Sequence, residues 1–375
     1  MMHALYRYFY EPEAWYSFIR IFQYITVRTA YSALTGLLIS WGLAWLMIPR
    51  FKEWDISQST HRPHLEFQNG KQGTPTMGGL FLVIAVTFST FMWADLSNRF
   101  IQMTLFVFLA LGFLGALDDW YQMRSRQGDG LSVQTKIIVQ LVITLVVGFW
   151  LTRQELPIRL LWISEEFRPE LSWSLFLPFM KETWLPLGII YIPFVMLVLM
   201  GTSNAVNLTD GLDGLAIGSV VFVAVAYGAL AYISGHYVFS EYLQVPNIRG
   251  AGELTVFISG LIGAGLGFLW FNAHPAQIFM GDAGSLPLGG AIGMVAIITK
   301  QELLLVLVGG IFVAEAISVI VQVLSFKLMG KRLLKMSPLH HHFELKGLSE
   351  SKIIVRFWIV GIILALLALS TLKLR

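Results

Sequence analysis

The chain has 375 residues, of which 56% are hydrophobic and 13% charged, with a net charge of +3 and no cysteine. Soluble domains usually carry about 25% charged residues, so this composition places the chain in a membrane. Disulfides, thiolate metal sites and cysteine nucleophiles are excluded, and with no long basic run a nucleic-acid partner is not expected.

Residues 1–29 are rich in aromatics, including Tyr6, Tyr8, Tyr10, Trp15, Tyr16 and Phe22. They also hold Arg7, Glu11, Glu13 and Arg20, and they lack the clean apolar stretch and small-residue cleavage site of a signal peptide. The pattern predicts a segment lying against lipid headgroups. Ten apolar cores follow: Ala30–Ile48, Met77–Ala94, Ile101–Leu117, Ile137–Leu151, Trp184–Met200, Leu215–Ile233, Leu254–Trp270, Ser285–Thr299, Leu303–Leu324 and Ile353–Leu372. A bilayer core needs roughly 20 apolar residues per helix, and the fourth and eighth cores are short. Continuous runs of this kind mean helices, since only helices and closed barrels satisfy their backbone in lipid. The expected fold is an all-α integral membrane protein with about ten transmembrane helices, a single domain over residues 1–375, and no internal repeat.

Ten spans place both termini on one side and sort the loops by parity. Every motif with chemical content falls in the loops after spans one, three, five, seven and nine, which share the other side. Those loops hold more lysine and arginine than the remaining internal loops, which favours a cytoplasmic motif face. The two tails bring the counts close to parity.

In chain order, the first motif is Lys71 followed by Gly73-Thr-Pro-Thr-Met-Gly-Gly79. A lysine beside a glycine-rich turn can neutralise a diphosphate, although the spacing is not that of a Walker A loop. Asp118 and Asp119 end the third span. Adjacent carboxylates repel, so keeping both ionised favours a cation nearby, and magnesium suits oxygen ligands shared with phosphates. Asn204-Ala-Val-Asn-Leu-Thr-Asp-Gly-Leu-Asp-Gly214 reads as a polar turn pressed between apolar runs. Asp210 and Asp213 are three apart and would share a face if the segment were helical. Charged groups at a membrane boundary are costly and read as functional.

Gly263-Ala-Gly-Leu-Gly267 lies inside a span with no strand before it. It therefore reads as close helix packing and not as a dinucleotide fingerprint. Asp282 lies in Phe279-Met-Gly-Asp-Ala-Gly-Ser285, where Ser285 is expected to begin a helix whose N-terminus favours an anion. Glu315 and Gln322 are seven apart and should face the bundle interior, Glu315 in a structural hydrogen bond. His340-His341-His342 cannot all reach one metal from a regular helix, and zinc spacing is absent. Contact with a nucleotide or phosphate, or a satisfied loop cluster, remains open for them.

Taken together these motifs resemble the bacterial phospho-N-acetylmuramoyl-pentapeptide transferases, a branch of the polyprenyl-phosphate N-acetylhexosamine-1-phosphate transferases. The likeness covers nearly the whole chain and includes Gly263-Ala-Gly-Leu-Gly-Phe-Leu-Trp-Phe-Asn272 and Pro338-Leu-His-His-His-Phe-Glu344. The resemblance implies transfer of phospho-MurNAc-pentapeptide from its UDP conjugate to undecaprenyl phosphate, giving lipid I and UMP in peptidoglycan synthesis. It implies magnesium, a homodimer in the bacterial inner membrane, periplasmic termini and a cytoplasmic active face. Asp282 would hold the metal, with Asp118 and Asp119 as further candidate ligands. Asp118 would orient or receive the proton of the lipid phosphate, with Asp119 assisting. Asn207, Asp210 and Phe279 would recognise the uridine or sugar end, with Asp213, Lys71, Asn272, Gln322, His340, His341 and His342 lining the same cleft. Direct attack by the lipid phosphate is the preferred route, and a covalent carboxylate intermediate is its rival. The competing readings are the UDP-N-acetylglucosamine branch and a membrane transporter. A transporter usually places its charges near the bilayer midplane in related halves.

Overall fold

The computed structural model describes residues 1–9, 17–54, 73–125, 130–153, 156–178, 180 and 183–373. Its helices are α1 (Met2–Phe9), α2 (Ile25–Glu53), α3 (Gly79–Trp93), α4 (Arg99–Arg124), α5 (Val133–Arg153), α6 (Tyr191–Thr209) and α7 (Leu215–Gly235). They continue as α8 (Tyr237–Leu243), α9 (Leu254–Asn272), α10 (Asp282–Ile298), α11 (Leu304–Val308), α12 (Gly310–Met329), α13 (Leu339–Glu344) and α14 (Glu350–Ser370). Among the described residues eight helices, α2, α4, α5, α6, α7, α9, α12 and α14, are long and apolar enough to cross a bilayer, and α3 and α10 are shorter apolar helices. The protein is an all-α integral membrane protein, and each of these ten helices overlaps one of the ten apolar cores.

Helix α10 is the axis of the bundle. Every residue from Ala283 to Ile298 is buried, as expected of a helix that is apolar on all sides. It packs against α3, α4, α6 and α7. Enclosed by protein, its 17 residues need not match the bilayer. The α9 glycines set the closest helix pair: a Cβ on Gly263 would overlap the Ala33 carbonyl of α2, and one on Gly267 would overlap that of Leu37. Backbones meet there because no side chain intervenes, which is the close packing expected of small residues in a membrane.

Three boundaries depart from expectation. The fifth core is expected to begin at Trp184, but Trp184–Pro186 pairs as a short strand with Ser174–Phe176, and α6 starts at Tyr191. At its other end α6 continues to Thr209, so Asn204 and Asn207 are helical and not part of a turn. Polar side chains do not stop a helix when they face a polar partner in place of lipid. The ninth core is interrupted at Gly309, between α11 and α12. In the aromatic segment, Tyr6 donates its hydroxyl to Gln23 at 2.8 Å. Tyr10, Trp15, Tyr16 and Lys71 lie outside the described residues.

Gly263→Leu is expected to cost about 1–3 kcal/mol or more by forcing α2 and α9 apart. Thermal unfolding in detergent checks this against Gly42→Leu, where an added Cβ meets nothing within 4 Å. Equal midpoints for the two variants would show that the α2–α9 approach is not needed.

Candidate active site

Helix ends converge at one end of the bundle. The C-terminal part of α4 brings Asp118 and Asp119, the start of α10 brings Asp282, the last turns of α6 bring Asn207, and the first turn of α5 brings Lys136. Carboxylate oxygens of Asp118, Asp119 and Asp282 lie within 4.8 Å of one another. The first two of these side chains are almost wholly buried.

Each carboxylate is held differently. Asp119 accepts the backbone N–H groups of Asp282 and Ala283, both at 3.0 Å. It thus satisfies donors that open α10 and have no partner within their own helix. The backbone turns into that helix through Gly281, at φ 73°, where a Cβ would stand 2.5 Å from Asp119 Oδ2. A left-handed residue in contact with a carboxylate has to be glycine. Asp118 accepts the Leu131 N–H at 2.7 Å on Oδ1, and its Oδ2 lies 2.8 Å from Lys136 Nζ. The same ammonium lies 2.8 Å from Asp282 Oδ2. Asn207 donates its amide to Asp282 Oδ1 at 2.6 Å and to Ser285 Oγ at 2.9 Å. Ser285 lies one turn inside α10, which begins at Asp282 and not at Ser285 as expected.

Lys136 is the site residue that motif reasoning missed. It sits alone at the start of a span, with no glycine or second charge beside it. The available signal is its position: four residues into a helix that begins on the motif side. Its ammonium bridges two carboxylates and so occupies the kind of place where a hard cation is stabilised. The oxygen donors of Asp118 and Asp282 suit a divalent ion that also takes phosphate oxygens. One ammonium leaves the cluster short of positive charge. Asp210 follows α6 directly; burial first, and then the charges of Asp282 and Asp119, push its carboxyl up to about 8. A bound cation would favour its ionised form.

The remaining expected residues divide into two groups. Asp213 does not share a face with Asp210, because the helix ends at Thr209 and the chain turns through Gly214 at φ 79°. Its Oδ2 accepts the Ala276 N–H at 3.0 Å and lies 3.3 Å from His274 Nδ1, and its own N–H donates to Glu350 at 2.8 Å. Asp213, His274 and Glu350 form a second cluster that ties the turn to α14. Asn272 is buried and serves the same turn, accepting from the Gly214 N–H at 3.1 Å and donating to the Ile278 carbonyl at 2.8 Å.

Phe279 is half-buried. Its backbone joins the Gly73–Gly79 segment, with Phe279 N–H donating to Pro75 O at 2.8 Å and Gly78 N–H to Phe279 O at 2.9 Å. That pairing carries the glycine-rich turn to the edge of the acidic cluster. Gln322 is engaged with the backbone of Leu333 and Leu334. The three histidines have three separate settings. His340 is buried beside Glu315, His341 Nδ1 lies 2.6 Å from Glu344, and His342 accepts the Lys335 N–H at 3.1 Å.

Comparison with known proteins agrees with this geometry. The sequence profile described as glycosyl transferase family 4 matches residues 101–300, and a phospho-N-acetylmuramoyl-pentapeptide-transferase signature matches residues 71–83. The chain is 47% identical to the phospho-N-acetylmuramoyl-pentapeptide-transferase of Citrifermentans bemidjiense and 48% identical to that of Desulforapulum autotrophicum. Each match covers 99% of this chain and 100% of the relative. The corresponding protein of Endomicrobium trichonymphae is 45% identical over the same shares.

Asp119→Asn places an amide NH2 against one of the two N–H donors and is expected to cost about 1–3 kcal/mol of stability. Asp282→Asn, whose side chain is partly exposed, should lose far less. Thermal unfolding of the two proteins distinguishes them, and a larger loss for Asp282→Asn would contradict the capping role of Asp119.

Proposed function

The chain belongs to glycosyl transferase family 4, in its phospho-N-acetylmuramoyl-pentapeptide transferase branch. On that premise we propose that it transfers phospho-MurNAc-pentapeptide from UDP-MurNAc-pentapeptide to undecaprenyl phosphate. The products are lipid I and UMP, and the reaction is the first membrane step of peptidoglycan synthesis. The observation that carries this reading is the Asp118–Lys136–Asp282 constellation at the membrane boundary, where a lipid phosphate and a nucleotide diphosphate can meet.

Phosphoryl transfer is mostly positioning and charge stabilisation. An oxygen of the lipid phosphate attacks the β-phosphorus of the UDP-sugar, and the bond from that phosphorus to the bridging oxygen breaks, releasing UMP. Asp118, held by Lys136 and the Leu131 N–H, orients the lipid phosphate and takes its proton where one is present. A phosphate monoester is mostly ionised near neutral pH, so this is a modest task. Lys136 supplies positive charge to the phosphates. Asp282, oriented by Asn207, would hold magnesium with Asp118 in reach. When bound, that ion would neutralise charge on the diphosphate oxygens.

Direct transfer is favoured over a covalent carboxylate intermediate. Both oxygens of Asp118 and both of Asp119 already accept hydrogen bonds, which a nucleophile would have to surrender. Asp210, Phe279, His341 and His342 form the wall for the nucleotide-sugar, while Asp213 and Asn272 hold that wall in place. We place this face in the cytoplasm and both termini in the periplasm of the inner membrane, as the basic surplus of the motif-side loops supports. The working unit is a homodimer.

Membranes containing this protein, undecaprenyl phosphate and magnesium are expected to release UMP from UDP-MurNAc-pentapeptide and not from UDP-GlcNAc; the reverse selectivity would assign it to the N-acetylglucosamine branch. Asp282→Asn should abolish turnover. Asp118→Asn should lower turnover while nucleotide binding, measured by calorimetry, persists. Loss of binding alone in Asp118→Asn would remove its role with the lipid phosphate.

A further inference from the structure

Among the buried polar groups that the transfer step does not use, Glu315 and His340 are a pair that reaches the Asp210 turn. Glu315 lies within α12, a largely apolar helix, and is fully buried. A carboxylate at that depth requires partners, and it finds them on the histidine segment. Its Oε2 accepts the Leu339 N–H at 2.6 Å, and its Oε1 accepts the His340 N–H at 3.2 Å. Oε1 also lies 3.2 Å from His340 Nδ1. One side chain therefore fixes the start of α13 through two backbone N–H groups and stands beside the His340 ring without a hydrogen bond to its Nδ1.

The far side of that ring meets the turn after α6. His340 is fully buried, and neither of its ring nitrogens has a hydrogen-bond partner among the described residues. The ring edge faces Gly211: a Cβ on Gly211 would collide first with His340 Nε2, and then with the carbons on either side of it. Gly211 directly follows Asp210, and its N–H is bonded to the Thr209 carbonyl at 2.9 Å. The ring is thus wedged between α12 and the back of the turn, with no accessible surface to offer a ligand.

We propose that Glu315 is a positioning residue that acts through His340, holding the Gly211 backbone, and with it Asp210, where the nucleotide-sugar binds. The proposal rests on reading that turn as the nucleotide-sugar wall. His340 becomes the support of the wall and not part of its surface. Glu315 holds the ring indirectly, through the backbone N–H groups of Leu339 and His340. The coupling here is steric: the ring sets how far back the Gly211 backbone can move.

A size exchange tests this. Gly211→Ala should weaken UMP binding and raise the KM for the nucleotide-sugar about tenfold or more, because misplacement of a binding group by an ångström is costly. The KM for the lipid phosphate should stay within about twofold. Adding His340→Ser makes room for the new methyl group and should return nucleotide binding to within about threefold of wild type. Glu315→Gln should raise the same KM alone but add nothing on top of His340→Ser. Wild-type UMP binding in Gly211→Ala, no recovery in the double variant, or additive effects of Glu315→Gln and His340→Ser would each overturn the proposal. Should Gly211→Ala fail to fold, recovery of the unfolding midpoint on adding His340→Ser supports the wedge and its absence overturns it. Failure of the transfer reading itself shows separately, as wild-type protein that releases no UMP from either donor.

Discussion

Three carboxylates within 4.8 Å of one another at a membrane boundary are the constraint on which the rest depends. Like charges so close repel one another, and burial raises the cost of holding them together. The protein answers with a different device for each group. Asp119 is given two backbone N–H donors at the start of α10, Asp118 and Asp282 share the Lys136 ammonium, and Asn207 binds the remaining oxygen of Asp282. A divalent cation would complete this balance.

The bundle is arranged to hold that cluster still. α10 is buried along its length, so Asp282 sits on the most enclosed helix. Glycine contacts that bring α2 and α9 into backbone contact belong to the same logic: a membrane gives no hydrophobic drive between helices, and close packing replaces it. The second cluster, Asp213 with His274 and Glu350, ties the Asp210 turn to α14. Rigid elements thereby approach the reacting groups from several directions, as phosphoryl transfer by positioning requires.

Much of this is legible in the sequence, for identifiable reasons. The spans follow from hydropathy, and Asp118, Asp119 and Asp282 stand out because ionised groups beside apolar runs need a reason to be there. Loop parity places them on one face before any geometry is known. Lys136 is not legible, because one lysine at a helix start looks like an ordinary headgroup contact until the fold brings Asp118 and Asp282 to it. The division between Asp210 and Asp213 is hidden too: their three-residue spacing suggests one face, whereas the helix ends at Thr209 and Gly214 turns the chain. Trp184 misleads for a similar reason, since a short hairpin strand and a helix can share one apolar run.

Of the two acidic groups, we propose that the Asp118–Asp282 pair, and not Asp213–His274–Glu350, receives the divalent cation. Calorimetric titration of manganese, as a probe for magnesium, into the wild-type protein, Asp282→Asn and Asp213→Asn tests it most directly. Asp282→Asn is expected to weaken ion binding by about tenfold or more, a scale typical of disturbing a metal's ligand environment, while Asp213→Asn leaves it within about twofold. Binding that survives in Asp282→Asn and disappears in Asp213→Asn would contradict it.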